Sequence, residues 1–411
     1  MDKLCFVFVF CILTCCTSPQ NNKNAQASFS VEIPVIDVEK AVASAKDIYK
    51  LSDMAERIEY IPLEFTSECD CAIGNRIWQV YITTEDIFIL SGVVYRFGIN
   101  GKFKNVIGKV GRGPGEFPNT NSFTVDTIKR HVYVNANGMM EIVVYDYDGH
   151  HVQTVKKDYN YSTEFYYFPE NNILAHIGIP IEVSLPNSFF ISVTDINNNR
   201  ILHKKYLLSS LLLSSNHGVN GGHYSSLQRH NRLLLTESMN DTIFAYSNGI
   251  LSPFLILNLG KYKSKIKDEI AFAHGDEGAL YRYMDAPNIV EETDHFLFLY
   301  FTQGNGNKYL LKYDKYSREY TTFKVKKREE KSPAEIIYND IDGGLPIIWR
   351  AVPKYNQLAR IVHTYDMKEM LTSEYFSKSE AKDQQAKERL KNLVQSLGDE
   401  DNPVIMKVIL K

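Results

Sequence analysis

The sequence lacks the marks of several large function classes. It has no surplus of basic charge. Its 46 Lys and Arg face 49 Asp and Glu, for a formal net charge of −3, so the electrostatic footprint of a nucleic-acid binder is missing. The one charge run, KKREEK at Lys326 to Lys331, mixes signs and reads as a solvated loop. No GxxxxGK[ST] occurs, nor a GxGxxG between a strand and a helix, which argues against a nucleotide site. HExxH, GxSxG and CxxCH are missing too. The histidines His150, His151, His217, His223 and His230 are scattered rather than spaced as ligands, so no metal and no cofactor is expected. The apolar run Leu4 to Leu13 has ten residues. That is too short to cross a bilayer, but behind Lys3 it suits the apolar region of an export signal.

Cysteine is sparse, with six in the chain, and position explains most of them. Leu13-Thr14-Cys15-Cys16 directly follows the apolar run and resembles the bacterial lipobox, in which a cysteine becomes the lipidated N-terminus after cleavage. Cys16 is the better acceptor because Leu13 then stands three residues before it. Cys15 is the runner-up, and a plain cleaved signal is the alternative. The expected layout is a signal at 1–15, a polar tether at 16–30 (TSPQNNKNAQAS at its centre) and one folded domain at 31–411. The resemblance implies a cell-envelope lipoprotein held to the membrane by lipid. No acidic residue lies between Cys16 and Glu32, which favours a periplasm-facing outer-membrane position over the cell surface. Cys69 and Cys71 are then the remaining thiols, and an oxidising compartment would allow a small-loop disulfide between them. Two thiolates alone do not make a zinc site.

What the sequence has in quantity is aromatic residues, with 26 Tyr and 22 Phe, a composition that favours strands. One pattern recurs. The copies are VVYRFGINGKFKNVIG, EIVVYDYDGHHVQTV, FFISVTDINNNRILHKKY, DTIFAYSNGILSPFLIL and YLLKYDKYSREYTTFKV. Each alternates apolar and polar residues up to a Gly, Asn or Ser turn and resumes beyond it, the signal of a hairpin. Gly101 to Gly149 is 48 residues, Gly149 to Asn198 is 49, Asn198 to Gly249 is 51, and Gly249 to Ser317 is 68. A period near 50 with several strands per unit indicates propeller blades. In the second unit four strands are countable: SFTVDT, HVYVNA, EIVVYDY and HHVQTV. Both chain ends supply further strands, Arg57 to Phe65, Leu345 to Val352, Gln357 to Tyr365 and Pro403 to Leu410. They fit a sixth blade closed by the two termini, which removes free sheet edges.

The predicted fold is therefore all-β: a six-bladed β-propeller of four-stranded antiparallel blades, with a C-terminal amphipathic helix before the closing strand. That helix is expected over Glu374 to Leu397, with Ser377 and Glu380 as a capping box and Ala386, Leu390, Leu393, Val394 and Leu397 as its apolar stripe. A second helix is expected within Lys265 to Tyr283, in the extra length of the last long interval.

Four stretches carry a family resemblance: YKLSDMAERIEYIPLEF (Tyr49 to Phe65), GKVGRGPGEF with the following FTVD, the hairpins ending in NGKF and DGHH, and DNPVIMKVILK (Asp401 to Lys411). The chain resembles the six-bladed β-propeller lipoproteins of Gram-negative gut anaerobes, distant relatives of NHL-repeat and TolB-like propellers. That resemblance implies the fold and no reaction, so no catalytic residue is carried over. Asn198 and Ser317 depart from it, standing where the other hairpins have Gly.

Propeller topology places the turns of the outermost hairpins on one face and the blade-to-blade connectors on the other. The glycine-rich GKVGRGPGEFPNTN, Leu207 to His223 and Lys261 to Tyr283 are all connectors, and long loops on a rigid scaffold are where function collects. Arg112, Glu116, His223, Tyr281, Arg282 and Tyr283 are the candidate ligand-binding residues, for a glycan, peptide or protein partner. Arg112 and Glu116 have a plainer role open to them, tying connector to blade. The leading functional reading is a non-catalytic binding or scaffold module. The alternative is a propeller hydrolase, lyase or lactonase, for which Glu291-Glu292 or Asp340 with Asp342 would have to act as paired acids. Asp340 and Asp342, two apart, would face one side of a strand.

Overall fold

The computed structural model describes residues 32–411 except 70, 158–163, 178–190, 198–199, 206–224, 230, 237–239, 266, 269–270, 272–275, 277, 286, 326–336, 348–350 and 353–356, and gives the backbone alone for 201–205 and 351–352. Cys16, the tether, His217, His223, His230, Asn198 and the KKREEK run lie outside the described residues.

The compact unit runs from Ile33 to Lys411 and is a six-bladed propeller. Blade 1 is built from Gln79–Ile82, Asp86–Ser91, Val93–Gly98 and Phe103–Ile107, paired antiparallel in that order. Blade 2 is Phe123–Asp126, His131–Ala136, Glu141–Asp146 and His151–Lys156. Blade 3 is Glu164–Phe168, Ile173–Ile177, Ile191–Asp195 and Arg200–Lys205. Blade 4 is Ser225–Arg229, Arg232–Thr236, Thr242–Ser247 and Ile250–Asn258, and blade 5 is Asn288–Glu292, Phe296–Thr302, Lys308–Asp314 and Tyr320–Lys324. Blade 6 joins the termini. Gln357–Val362 and Ala55–Pro62 flank Val404–Leu410 on either side. The short strand Ala351–Val352, just ahead of Gln357–Val362 in the chain, adds in parallel to the inner strand of blade 1, with Ala351 opposite Val80.

Strand alternation explains why the middle strands of the blades carry apolar residues at consecutive positions. Successive side chains point to opposite sheet faces, and here each face meets a neighbouring blade. Val132 and Val134 pack toward blade 1 with Phe88, Leu90 and Phe123, while Tyr133 between them packs toward blade 3 with Phe165 and Tyr167. Leu234 packs toward blade 5, and Leu233 and Leu235 toward blade 3. The hydrophobic core is thus divided into six clusters, one at each blade seam.

The hairpin turns follow the sequence. Gly101, Gly149 and Gly249 have φ of 83°, 88° and 81°, the left-handed backbone that glycine tolerates best. In blade 5 the left-handed residue is Arg318, at φ 61°, one place after Ser317. Asp314 supports that turn by accepting hydrogen bonds from the Tyr316 and Ser317 N–H groups at 2.9 and 3.1 Å. In blade 3 the strands on either side of Asn198 pair with each other.

Two expectations need correction. The helix expected over Glu374 to Leu397 is broken. After α2 (Thr364–Thr372), helices α3 (Glu374–Lys378) and α4 (Gln384–Ser396) are separate. Ser377 and Glu380 form no capping box: Ser377 Oγ donates back to the Glu374 carbonyl, while Ser373 caps α3 and Asp383 caps α4, their side chains accepting from the Phe376 and Ala386 N–H groups. Of the apolar stripe, Leu390, Val394 and Leu397 are buried in the seam between blades 5 and 6, while Ala386 and Leu393 are half-buried. Of the helix expected within Lys265 to Tyr283, Lys267, Asp268 and Ala271 are helical, the positions between and after them lie partly outside the described residues, and from Gly278 to Arg282 the chain makes turns.

The sequence reading also missed an N-terminal strap. Val35–Asp37 adds to blade 4 as a fifth, parallel outer strand, aligned with Ile256–Asn258, and α1 (Val38–Ala43) follows it. The chain then touches blade 5 through the Lys46–Phe323 bridge before entering blade 6.

Candidate functional site

The face opposite the outer hairpin turns carries the blade connectors and, between the middle strands of blade 6, helices α2 to α4. The glycine-rich connector from blade 1 to blade 2 is held down by Phe117, which is fully buried and whose N–H donates to the Lys109 carbonyl at 3.1 Å. Tyr145 Oη donates to the Gly115 carbonyl at 2.6 Å. A run of glycines with N–H groups turned one way is an anion nest, and this nest is filled from within. Glu116 accepts from the Gly113 N–H at 2.9 Å and pairs with Lys109 at 3.0 Å. Those two contacts, the Gly113 hydrogen bond first, hold its carboxyl below the usual carboxylate range. A Cβ on Gly111 would lie 1.9 Å from Glu116 Oε2. The glycines therefore make room for the chain's own carboxylate.

Arg112 is exposed beside that nest and makes no ion pair among the described residues. The blade 4 to blade 5 connector stands three blades away around the ring. Tyr281 is 61% exposed there. Arg282 is exposed, its guanidinium 5.0 Å from the Tyr283 ring centroid and 3.9 Å from Asp268. Tyr283 itself is buried, and its hydroxyl donates to Asp268 at 2.6 Å. The chain is tightly backed at this point, because a Cβ on Gly304 would lie 2.3 Å from the Leu280 carbonyl. Arg282 and Tyr281 thus share one patch and Arg112 belongs to another, with His223 outside the described residues.

The acid pairs singled out by sequence are engaged internally. Glu291 takes a two-pronged contact from Arg229, Nε to Oε1 at 2.7 Å and Nη2 to Oε2 at 2.6 Å, with both side chains buried. Burial pushes the Glu291 carboxyl up, against the pull of Arg229. Glu292 is held by Arg232 and by Lys315, the latter at 2.9 Å. Asp340 and Asp342 lie in a bend rather than on one face of a strand. Asp340 accepts from the Ser52 N–H at 2.9 Å and the Ser52 hydroxyl at 2.6 Å, and pairs with Lys382 at 3.2 Å. Burial works to raise its carboxyl, but these bonds outweigh it and hold it low. Asp342 accepts from Tyr60 Oη at 2.9 Å, Asn339 Nδ2 at 2.6 Å and the Gly344 N–H at 2.9 Å, and burial leaves it raised. Among the described residues no three His, Cys, Asp or Glu side chains gather as a metal site, and no helix there is long and apolar enough to cross a membrane. Cys69 and Cys71 are disulfide-bonded, with Cα atoms 5.1 Å apart.

One feature of this face has no sequence motif. At the seam of blades 6 and 1, a cavity of about 220 Å³ is lined by Asn75, Ile77, Trp78, Gln79, Arg360, Ile361 and His363. Gln79 opens the inner strand of blade 1, and His363 follows the second strand of blade 6, so the two line one cleft although 284 positions separate them in the chain. Separation of that size leaves nothing for a local pattern to register.

A domain of unknown function (DUF4934) matches residues 33–408, almost the whole folded unit. The chain belongs to the DUF4934 family. Among solved structures, this DUF4934 propeller is similar to a protein described as exported from Bacteroides fragilis, with 18% identity, a TM-score of 0.66, and coverage of 90% of this chain and 98% of that one. It is also matched by a DUF4221 family member from Bacteroides vulgatus, with 11% identity, a TM-score of 0.47, and coverage of 87% and 97%. At 18% identity the first of these shows that the DUF4934 chain shares a fold with an exported protein. No curated protein matches it.

Proposed function

We propose that this DUF4934 propeller is a non-catalytic binding or scaffold module of the cell envelope, engaging a glycan, peptide or protein partner on its connector face. The observation that carries this reading is an asymmetry in how polar side chains are used. The carboxylates that a hydrolase or lyase would employ are buried and already engaged, Glu291 by Arg229, Asp340 by Lys382 and Asp342 by Tyr60. Arg112, Tyr281 and Arg282 stand exposed on connectors. General acid–base work needs a pair of carboxyls free to exchange protons with a substrate, whereas binding needs exposed aromatic and guanidinium groups on a rigid support.

The envelope setting rests on the signal-like N-terminus, with lipid on Cys16 as the anchor and the periplasmic side of the outer membrane as the site. The kinship to NHL-repeat and TolB-like propellers belongs to the same reading and rests on the quoted sequence stretches. Two experiments test it. Fluorescently labelled full-length protein is applied to arrays of immobilised glycans and peptides. Capture on at least one ligand, lowered tenfold or more by Arg112→Ala with Tyr281→Ala, is expected, and unchanged capture by that double variant refutes the assignment. Cells fed an alkyne-tagged palmitate should label the protein and should fail to label Cys16→Ser. An unlabelled wild-type chain would rule out the lipid anchor.

A further inference from the structure

The cleft at the seam of blades 6 and 1 differs from the rest of the connector face in its chemistry. Trp78 is 47% exposed at its wall, although an indole of that size is ordinarily well covered in a folded domain. The Arg76 guanidinium lies 4.1 Å from the Trp78 ring centroid, a cation–π contact. Arg76 is itself exposed and makes no ion pair among the described residues. Across the cleft His363 stacks on Tyr365, ring centroids 5.2 Å apart and planes within 11° of parallel, and Tyr365 is 58% exposed. The exposed Trp78 indole and the half-buried His363 imidazole therefore both line one small hole, each stacked on a planar side chain that stands outside the lining.

The lining between them is rich in hydrogen-bonding planes. Gln79 Oε1 is taken by the Phe123 N–H at 2.9 Å, so the group it offers is the Nε2 donor. Asn75 adds a second amide. Arg360 Nη1 donates to the Pro346 carbonyl at 2.6 Å, which fixes the guanidinium against the wall. Burial lowers the His363 imidazole against the opposing field of Asp366, favouring the neutral form that can both donate and accept. No carboxylate is among the residues lining the cavity. At about 220 Å³ the hole is below the roughly 300 Å³ at which drug-sized pockets begin. It suits one ring of a longer ligand that continues along the open face.

We infer that this cleft seats a uronic-acid unit of a saccharide chain. The ring's C–H face would lie against the exposed indole, its hydroxyls would meet Asn75, Gln79 and His363, and its carboxylate would meet Arg76. An apolar peptide side chain would waste four polar lining groups, and leaving such groups unpaired on binding is costly. A quaternary ammonium would meet the Arg76 charge beside a lining that holds no carboxylate. A neutral sugar would leave Arg76 without a counter-charge, and charge-assisted pairs are the stronger ones.

The inference rests on the reading of the connector face as a binding surface, and its test separates the two. Full-length protein is titrated with oligogalacturonate and oligoalginate, and with maltotetraose as the neutral counterpart, by calorimetry and by tryptophan fluorescence. Trp78 is one of only two tryptophans, so the spectral change is readable. Saturable binding of at least one uronate chain is expected, at least tenfold tighter than maltotetraose and weakened at least tenfold in both Arg76→Ala and Trp78→Ala. Both replaced residues are exposed, and unchanged melting curves would verify that the variants fold. No uronate binding, equal binding of the neutral sugar, or full binding by the two variants would overturn the inference. If uronate binding survives in Trp78→Ala while Arg112→Ala with Tyr281→Ala loses its array ligands, the uronate seat fails and the connector-face reading stands. If uronate binding is lost in Trp78→Ala while the double variant keeps its array ligands, the seat stands and the assignment of Arg112 and Tyr281 fails.

Discussion

Gly101 and Gly249 occupy equivalent places in two outer hairpins, and their φ values differ by only 2°. Their surroundings differ sharply. A Cβ on Gly101 would lie 2.1 Å from the Pro62 carbonyl oxygen, which is backbone of the closing blade, whereas a Cβ on Gly249 would meet nothing within 4 Å. Gly249→Ala therefore carries only the left-handed backbone penalty, about 1 kcal/mol. Gly101→Ala adds a backbone clash that the seam between blades 1 and 6 must absorb, and about 3 kcal/mol is expected. Urea unfolding of the two variants measures the difference. Equal midpoints would show that the Pro62 contact yields freely. The same scale shows the limit of the sequence. That the Gly108 to Gly115 run is a blade-to-blade connector was legible. That Glu116 fills its nest was not, because a carboxylate three residues after a glycine reads equally well as loop charge.

At the scale of elements, the strands were the legible part. Alternation across a turn survives translation into structure because each blade face is buried against a neighbour, so a slip by one residue would swap the contents of two seams. The hairpin at Ser317 shows how little the turn residue itself matters: Asp314 and a left-handed Arg318 make the turn without glycine. Helix ends were less legible. Ser377 with Glu380 satisfies the capping-box spacing, yet Asp383 is the residue that caps α4. The break falls where α3 ends at Lys378 and Asp383 caps a new helix, although Phe376 and Leu390 on either side are buried in the same seam. The strap at Val35–Asp37 escaped notice for a related reason. Three strand residues carry no periodicity, and what holds them is the outer edge of blade 4 more than 200 positions away. The Trp78 cleft is the extreme case, since its two walls come from opposite ends of the chain.

The whole molecule is a ring closed by a few residues at each end. Ala55–Pro62 pairs with Val404–Leu410 over the full length of the strand, from Ala55 opposite Leu410 to Pro62 opposite Val404. The same C-terminal strand pairs on its other side with Gln357–Val362, so it stands between the two flanking strands of blade 6. Val404, Ile405, Met406 and Val408 are all buried, and they divide between the seam to blade 5 and the seam to blade 1. Removing this strand would strip two seams of apolar contacts and expose two unpaired strand edges, the template for association with another chain. Deletion of residues 404–411 should therefore do more than lower stability. The shortened protein is expected to elute from size exclusion as oligomers or aggregate and to lose its cooperative melting transition. The strap across blades 4 and 5 bears on the outcome, because it holds the N-terminal segment to the ring independently of blade 6. If that strap were sufficient for closure, the deleted protein would remain monomeric and melt cooperatively at a lower temperature. A monomer of that kind would show that the five complete blades fold without the closing strand.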